Sequence, residues 1–129
     1  MRRALAPWAP PLLWAAAIFF LSSRHSVPGP ELPGFDKAAH FCAYALGGFL
    51  LARAAAATGL APAWAVALGW LYGISDEVHQ AFVPGRSVEL ADWVADALGV
   101  AAGLYLYTVW QARRKERESL SPRAEPLQP

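Results

Sequence analysis

Residues 62–86 read PAWAVALGWLYGISDEVHQAFVPGR, an apolar run that turns polar towards its end. Nothing charged occurs from Pro62 to Ser75, and then Asp76, Glu77, His79, Gln80 and Arg86 follow in close succession. A charged group in apolar surroundings is costly unless it is paired, hydrated or used. The apolar run has the length of a membrane span, so the whole chain must be read with that possibility in view.

Three other stretches share this character, giving spans at about 7–22, 37–57, 62–82 and 89–111. About 20 apolar residues cross a bilayer, with a range of roughly 17 to 25. The expected fold is therefore all-α, a polytopic four-helix membrane bundle over residues 1–112. The first stretch is the shortest and carries three prolines, and a signal peptide is its alternative reading. No A-x-A-like cleavage site follows it, which favours an uncleaved first span. Residues 23–35, SRHSVPGPELPGF, hold three prolines and two glycines and cannot continue a helix. From Arg113 onward, RRKERESLSPRAEPLQP is charged and proline-rich, and reads as a disordered tail.

Hydrophobic residues make up 56% of the 129, and charged residues only 16%, below the roughly 25% of soluble domains. Eleven Lys and Arg oppose ten Asp and Glu, so no basic excess marks a nucleic-acid partner. Cys42 is the single cysteine, which excludes an intrachain disulfide. With both termini cytoplasmic, the inner side collects Arg2, Arg3, Arg53, Arg113, Arg114, Lys115, Arg117 and Arg123. The outer side keeps Arg24, Lys37 and Arg86, so the positive-inside rule selects this orientation. The expected location is a cell membrane crossed several times, with the lipid bilayer as the immediate partner.

Helical spacing then sorts the polar residues. Asp36, His40 and Tyr44 recur at i, i+4 and i+8 on one face, with Gly47 and Gly48 beyond them. Gly69, Gly73, Asp76 and Gln80 form a second stripe, with His79 beside it, and Glu89, Asp92, Asp96, Gly99 and Gly103 a third. All three stripes are polar at the outer end and glycine at the inner end. Small-xxx-small pairs let membrane helices approach closely, so the inner half should be closed and the outer half should enclose a polar cup. Glu31 and Glu89 read as solvated, Tyr44 as a packed aromatic, His25 as a solvated loop residue, and Glu77 as a snorkelling side chain.

Two chemistries fit the cup. Asp36 with His40 at i+4, and Asp76 with His79 at i+3, can each offer two ligands to a divalent metal ion. Without metal, His40 or His79 serves as general base, oriented by Asp36 or Asp76. Lys37 and Arg86 then hold a phosphate or carboxylate, Arg86 in bidentate fashion, with Gln80, Tyr44, Asp92 and Asp96 completing the binding surface. A purely structural salt-bridge network, pairing Arg86 with Asp76 or Asp92 and Lys37 with Glu77, is the competing explanation. The chain has no G-x-S-x-G elbow, no lipid-phosphatase motif and no phosphate loop before a helix.

FDKAAHFCAYALGGFLLA (35–52) and LYGISDEVHQAFVPGRSVELADWVADALGVAAG (71–103) together resemble the VanZ-like membrane protein family. Three motifs carry the resemblance, in order: Asp36-Lys37-x-x-His40-Phe41-x-x-Tyr44, Asp76-Glu77-x-His79-Gln80, and Pro84-Gly85-Arg86-Ser87 leading to Asp92. Many members carry asparagine where this chain has Asp96, so an extra acid lies deep in the cup. The resemblance implies a bacterial membrane protein related to a low-level teicoplanin resistance determinant, and it brings no mechanism with it. Two readings follow. In the first, an enzyme acts on an anionic lipid-linked or peptidoglycan precursor. In the second, a non-catalytic module binds such an envelope component or scaffolds a partner. A transporter fits less well, because four short helices leave little room for alternating access.

Overall fold

The computed structural model of the chain describes residues 5–24 and 32–120. His25 and Glu31, the charges at Arg2, Arg3 and Arg123, and residues 121–129 of the tail lie outside them. The described residues are helical, with no strand among them. A short 3₁₀ turn, Ala6–Trp8, leads into α1 (Ala9–Ser22), followed by α2 (Phe35–Ala57), α3 (Pro62–Gln80) and α4 (Leu90–Leu120). The prolines of α1 fall in its first turn, where a missing N–H leaves no hydrogen bond unmade.

Two of these helices, α2 and α4, are long and apolar enough to cross a membrane by length and composition. The 14 residues of α1 extend about 21 Å at 1.5 Å per residue, short of the roughly 30 Å hydrocarbon thickness. The sequence ends the last span at Gln111 and expects no structure from Arg113. Instead α4 continues as helix through Leu120. Strong helix formers fill this extension, and Arg114 Nε bonds Glu118 Oε1 at 2.8 Å, one turn on.

Successive helices run in opposite directions. Lys37 meets Asp92 and His40 meets Asp96, so α2 and α4 start at the same end. Ser23 meets His79, so α1 and α3 finish at that end too. The most extensive packing joins α2 to α4. Their backbones touch there: a Cβ on Gly48 would strike the Val100 carbonyl, on Gly99 that of Phe41, and on Gly103 that of Ala45. Gly48, Gly99 and Gly103 of the stripes read from the sequence thus lie in this seam, while Gly47 faces Trp14 of α1 and Gly69 of α3 faces Val100. At the glycine end, Leu51, Ala52, Ala55, Ala65 and Tyr107 close the interior. Around Tyr44 and Val100, Trp14 of α1 docks, donating Nε1–H to the Ala43 carbonyl at 2.9 Å with its ring edge-on to Tyr44.

At its polar end the bundle buries acids that a water-soluble domain ordinarily exposes. Asp76, Glu77, Gln80, Asp92 and Asp96 are buried, whereas Leu12, Leu13, Phe20, Leu71, Phe82, Leu98 and Tyr105 are exposed. Large exposed apolar patches are rare on monomers that live in water.

Candidate functional site

The polar ends of the helices meet in three linked networks at one end of the bundle. In the first, the Lys37 ammonium bonds Asp36 Oδ2 at 2.8 Å, Glu89 Oε2 at 2.6 Å and Asp92 Oδ1 at 2.7 Å. It clasps the start of α2 to the start of α4. Glu89, which precedes α4, is held below the ordinary carboxylate range chiefly by that hydrogen bond from Lys37. The salt-bridge alternative paired Lys37 with Glu77, and that pair is not found among the described residues; Glu89 is exposed, as read from the sequence, while also accepting from Lys37. Glu77 instead accepts the Glu89 backbone N–H on Oε2 at 3.4 Å.

Removing the ammonium leaves buried Asp92 without its cation. Lys37→Met is therefore expected to lower the thermal midpoint in detergent more than Arg114→Ala, which removes one exposed i, i+4 pair. Because the carboxyl of Glu89 titrates lower in the folded chain, its share of this stabilisation is complete above its ordinary pKa of 4.5 and fades as pH falls through the lowered value. A Lys37→Met midpoint equal to that of Arg114→Ala at neutral pH would contradict this account.

The second network runs across α2, α3 and the turn after α3. Tyr44 donates its hydroxyl to Asp76 Oδ2 at 3.2 Å, and Gln80 Nε2 donates to the same oxygen at 3.2 Å. Arg86 Nη2 then donates to Gln80 Oε1 at 2.7 Å. The turn explains why Arg86 can fold back onto α3. Pro84 and Gly85 occupy its centre, Gly85 has φ +81°, and the Arg86 N–H closes it on the Val83 carbonyl at 3.1 Å. Proline followed by a positive-φ glycine is the signature of a type II turn. Arg86 pairs with neither Asp76 nor Asp92 among the described residues. An amide holds it, and no acid among the described residues pairs with it.

The third network is His40 Nδ1 to Asp96 Oδ1 at 2.9 Å, joining α2 to α4. Glu77 lies beside it: His40, Glu77 and Asp96 each present a ligand atom within 4.8 Å of the others. Sequence reading passed over Glu77. The usable signal was its position one turn beyond Gly73, on the same packed face.

Neither chelating pair expected within a helix forms. Asp36 is exposed and turned to Lys37. His79 faces away from Asp76, with Nε2 2.9 Å from Ser23 Oγ and its ring stacked on Phe19 at 4.5 Å. Three residues along a helix leave a 60° offset, enough to turn His79 towards α1 while Asp76 faces the interior.

Between these networks lies a cavity of about 120 Å³. Ile18, Leu21, Ala39 and Ala43 form its apolar lining, and Ser22, His40, Tyr44, Asp76, Gln80 and Arg86 its polar lining. Of the ten residues singled out in the sequence, five therefore line one cavity, Asp96 anchors His40, Asp92 and Asp36 hold Lys37, and His79 stands apart. The cavity can hold an anion on Arg86 with an apolar extension along α1, and its carboxylate, phenol and imidazole can relay protons.

No curated protein and no solved structure matches the chain. The profile of the VanZ/LLP1 family does, over residues 8–111, a span that takes in Trp14 of α1, the whole cavity lining and the α2–α4 seam. With its three motifs placed in order on α2, on α3 and in the turn that presents Arg86, the chain belongs to the VanZ/LLP1 family.

Proposed function

We propose that this protein is a multi-pass membrane protein with both termini cytoplasmic, whose cavity opens on the outer face and binds an anionic component of the cell envelope. The observation that carries this reading is Arg86, a guanidinium held by Gln80 and without an acidic partner among the described residues, at the edge of a cavity walled by apolar side chains on its α1 side. A guanidinium fork suits phosphate or carboxylate, and the apolar wall suits the chain of a lipid carrier. Lipid-linked and peptidoglycan precursors combine these features.

The exposed apolar surface and the length of α2 and α4 support membrane embedding. The eight inner-side cations support the orientation. In that arrangement α1 and α3 are shorter partners of the two full-length spans, the last turns of α4 project into the cytoplasm, and residues 1–112 form the membrane domain. Family membership is consistent with a role linked to glycopeptide resistance.

Binding to a polyprenyl phosphate in nanodiscs, followed by tryptophan fluorescence through Trp14 against Tyr44, tests the reading. Saturable binding is expected, with the corresponding uncharged polyprenyl alcohol at least about tenfold weaker. Equal affinity for phosphate and alcohol would leave the anion site without support. The phosphate recovered unchanged after long incubation would identify a binding module, and released inorganic phosphate an enzyme.

A further inference from the structure

The polar interior carries more buried acid than buried base. Asp76, Glu77, Asp92 and Asp96 all have 7% or less of their surface exposed. Lys37 reaches only Asp92 of these four, and His40 reaches Asp96. Among the described residues no lysine or arginine pairs with Asp76, Glu77 or Asp96. Three oxygens of these last residues, Asp76 Oδ1, Glu77 Oε1 and Asp96 Oδ2, are buried with no hydrogen-bond partner among the described residues. A buried carboxylate oxygen left bare costs far more than one that meets a donor or a cation.

Two of these orphaned oxygens, on Glu77 and Asp96, belong to residues whose ligand atoms converge with that of His40. His40 on α2, Glu77 on α3 and Asp96 on α4 bring one imidazole and two carboxylates to within 4.8 Å of one another. We infer that they form a site for a divalent cation of borderline to hard character, such as Zn²⁺ or Mn²⁺. One nitrogen and two carboxylates suit that class, and two negative charges match its charge.

At metal–ligand distances near 2.1 Å, tetrahedral neighbours lie about 3.4 Å apart, so the most widely spaced ligand atoms need to close by no more than about 1.4 Å onto the ion. His40 also lines the cavity, which supplies an entry route and room for further ligands. The second acidic group, Asp36, Glu89 and Asp92, already surrounds the Lys37 ammonium and needs no ion. This inference goes beyond the anion-binding reading and does not rest on it: the ion is bound by the protein's own side chains whether or not Arg86 holds a ligand.

The test uses the full chain in detergent, purified without chelator and without a histidine tag, loaded with ZnCl₂ or MnCl₂, desalted and measured by elemental mass spectrometry. Affinity is then measured by calorimetric titration of the stripped protein. About one equivalent of one of these metals is expected to remain on the wild type. The near-isosteric variants Glu77→Gln and Asp96→Asn should each bind it at least about tenfold more weakly. His79→Ala, outside the site, should bind as the wild type does.

Less than about a tenth of an equivalent of either metal on the wild type would overturn the inference. So would unchanged affinity in both amide variants, or an equal loss in His79→Ala. Each variant is checked for a monodisperse profile and a cooperative melt; if one amide variant fails to fold, the other decides, and the wild-type stoichiometry decides alone if both do.

Discussion

Replacing Gly103 with valine is expected to destabilise the bundle by about 3 kcal/mol or more, the upper end of the usual overpacking cost. A Cβ at this position falls on the Ala45 carbonyl oxygen and close to the Phe49 amide. Both are backbone atoms of α2, so no side chain can rotate away, and the helices must separate. Separation would cost most at α2–α4, which share the most extensive packing, and it would pull His40 from Asp96. Gly34→Ala is the informative comparison. A Cβ there meets nothing within 4 Å, and the penalty comes only from φ +77°, worth roughly 1 kcal/mol. Thermal or denaturant unfolding in detergent separates the two. A Gly103→Val protein as stable as Gly34→Ala would mean that α2 and α4 do not touch backbone to backbone.

Arg86→Ala is expected to weaken binding of a polyprenyl phosphate by roughly ten- to a hundredfold while leaving the alcohol unaffected. Hydrogen bonds to a charged group contribute about 1.5–3 kcal/mol, and each 1.4 kcal/mol is tenfold in affinity. Only one guanidinium nitrogen is engaged with Gln80, which leaves the remaining donors for the ligand. Arg86→Lys keeps the charge but loses the planar fork, so it should fall between the two. Arg24→Ala supplies the control. Arg24 lies over the Phe20 ring at 5.0 Å, outside the cavity lining, and its loss should change nothing. If Arg24→Ala and Arg86→Ala weaken binding equally, general surface charge is responsible and not the cavity.

The sequence carried the helices and much of the site, because intrahelical spacing fixes which residues share a face. The stripes ending in Gly47 and Gly48, and in Gly99 and Gly103, lie where helices meet, and Tyr44 and Asp96 are interior. Spacing does not say which face meets which partner, and every misassigned pair traces to that. Lys37 was matched with Glu77, but the clasp it makes depends on Glu89 and Asp92 starting α4 beside it. His79 shares the polar end of α3 with Asp76, yet α1 supplies Ser23 and Phe19 on its other side. Glu77 was read as snorkelling from its offset to Asp76 alone. Its burial follows from the line of Gly69 and Gly73 below it, which draws that side of α3 towards α4. The continuation of α4 to Leu120 was missed because charge was read as a sign of disorder, whereas residues 112–118 are largely strong helix formers.

The central claim is that the polar end of the bundle, with Arg86 at the cavity, faces outward across a membrane. Single-cysteine labelling tests it most directly. In a Cys42→Ala background, Ser87→Cys places a thiol beside Arg86, and Ser119→Cys places one near the end of α4. A membrane-impermeant maleimide applied to intact cells should label Ser87→Cys at once and Ser119→Cys only after the cells are opened. The reverse pattern, or equal labelling of both in intact cells, would contradict the account.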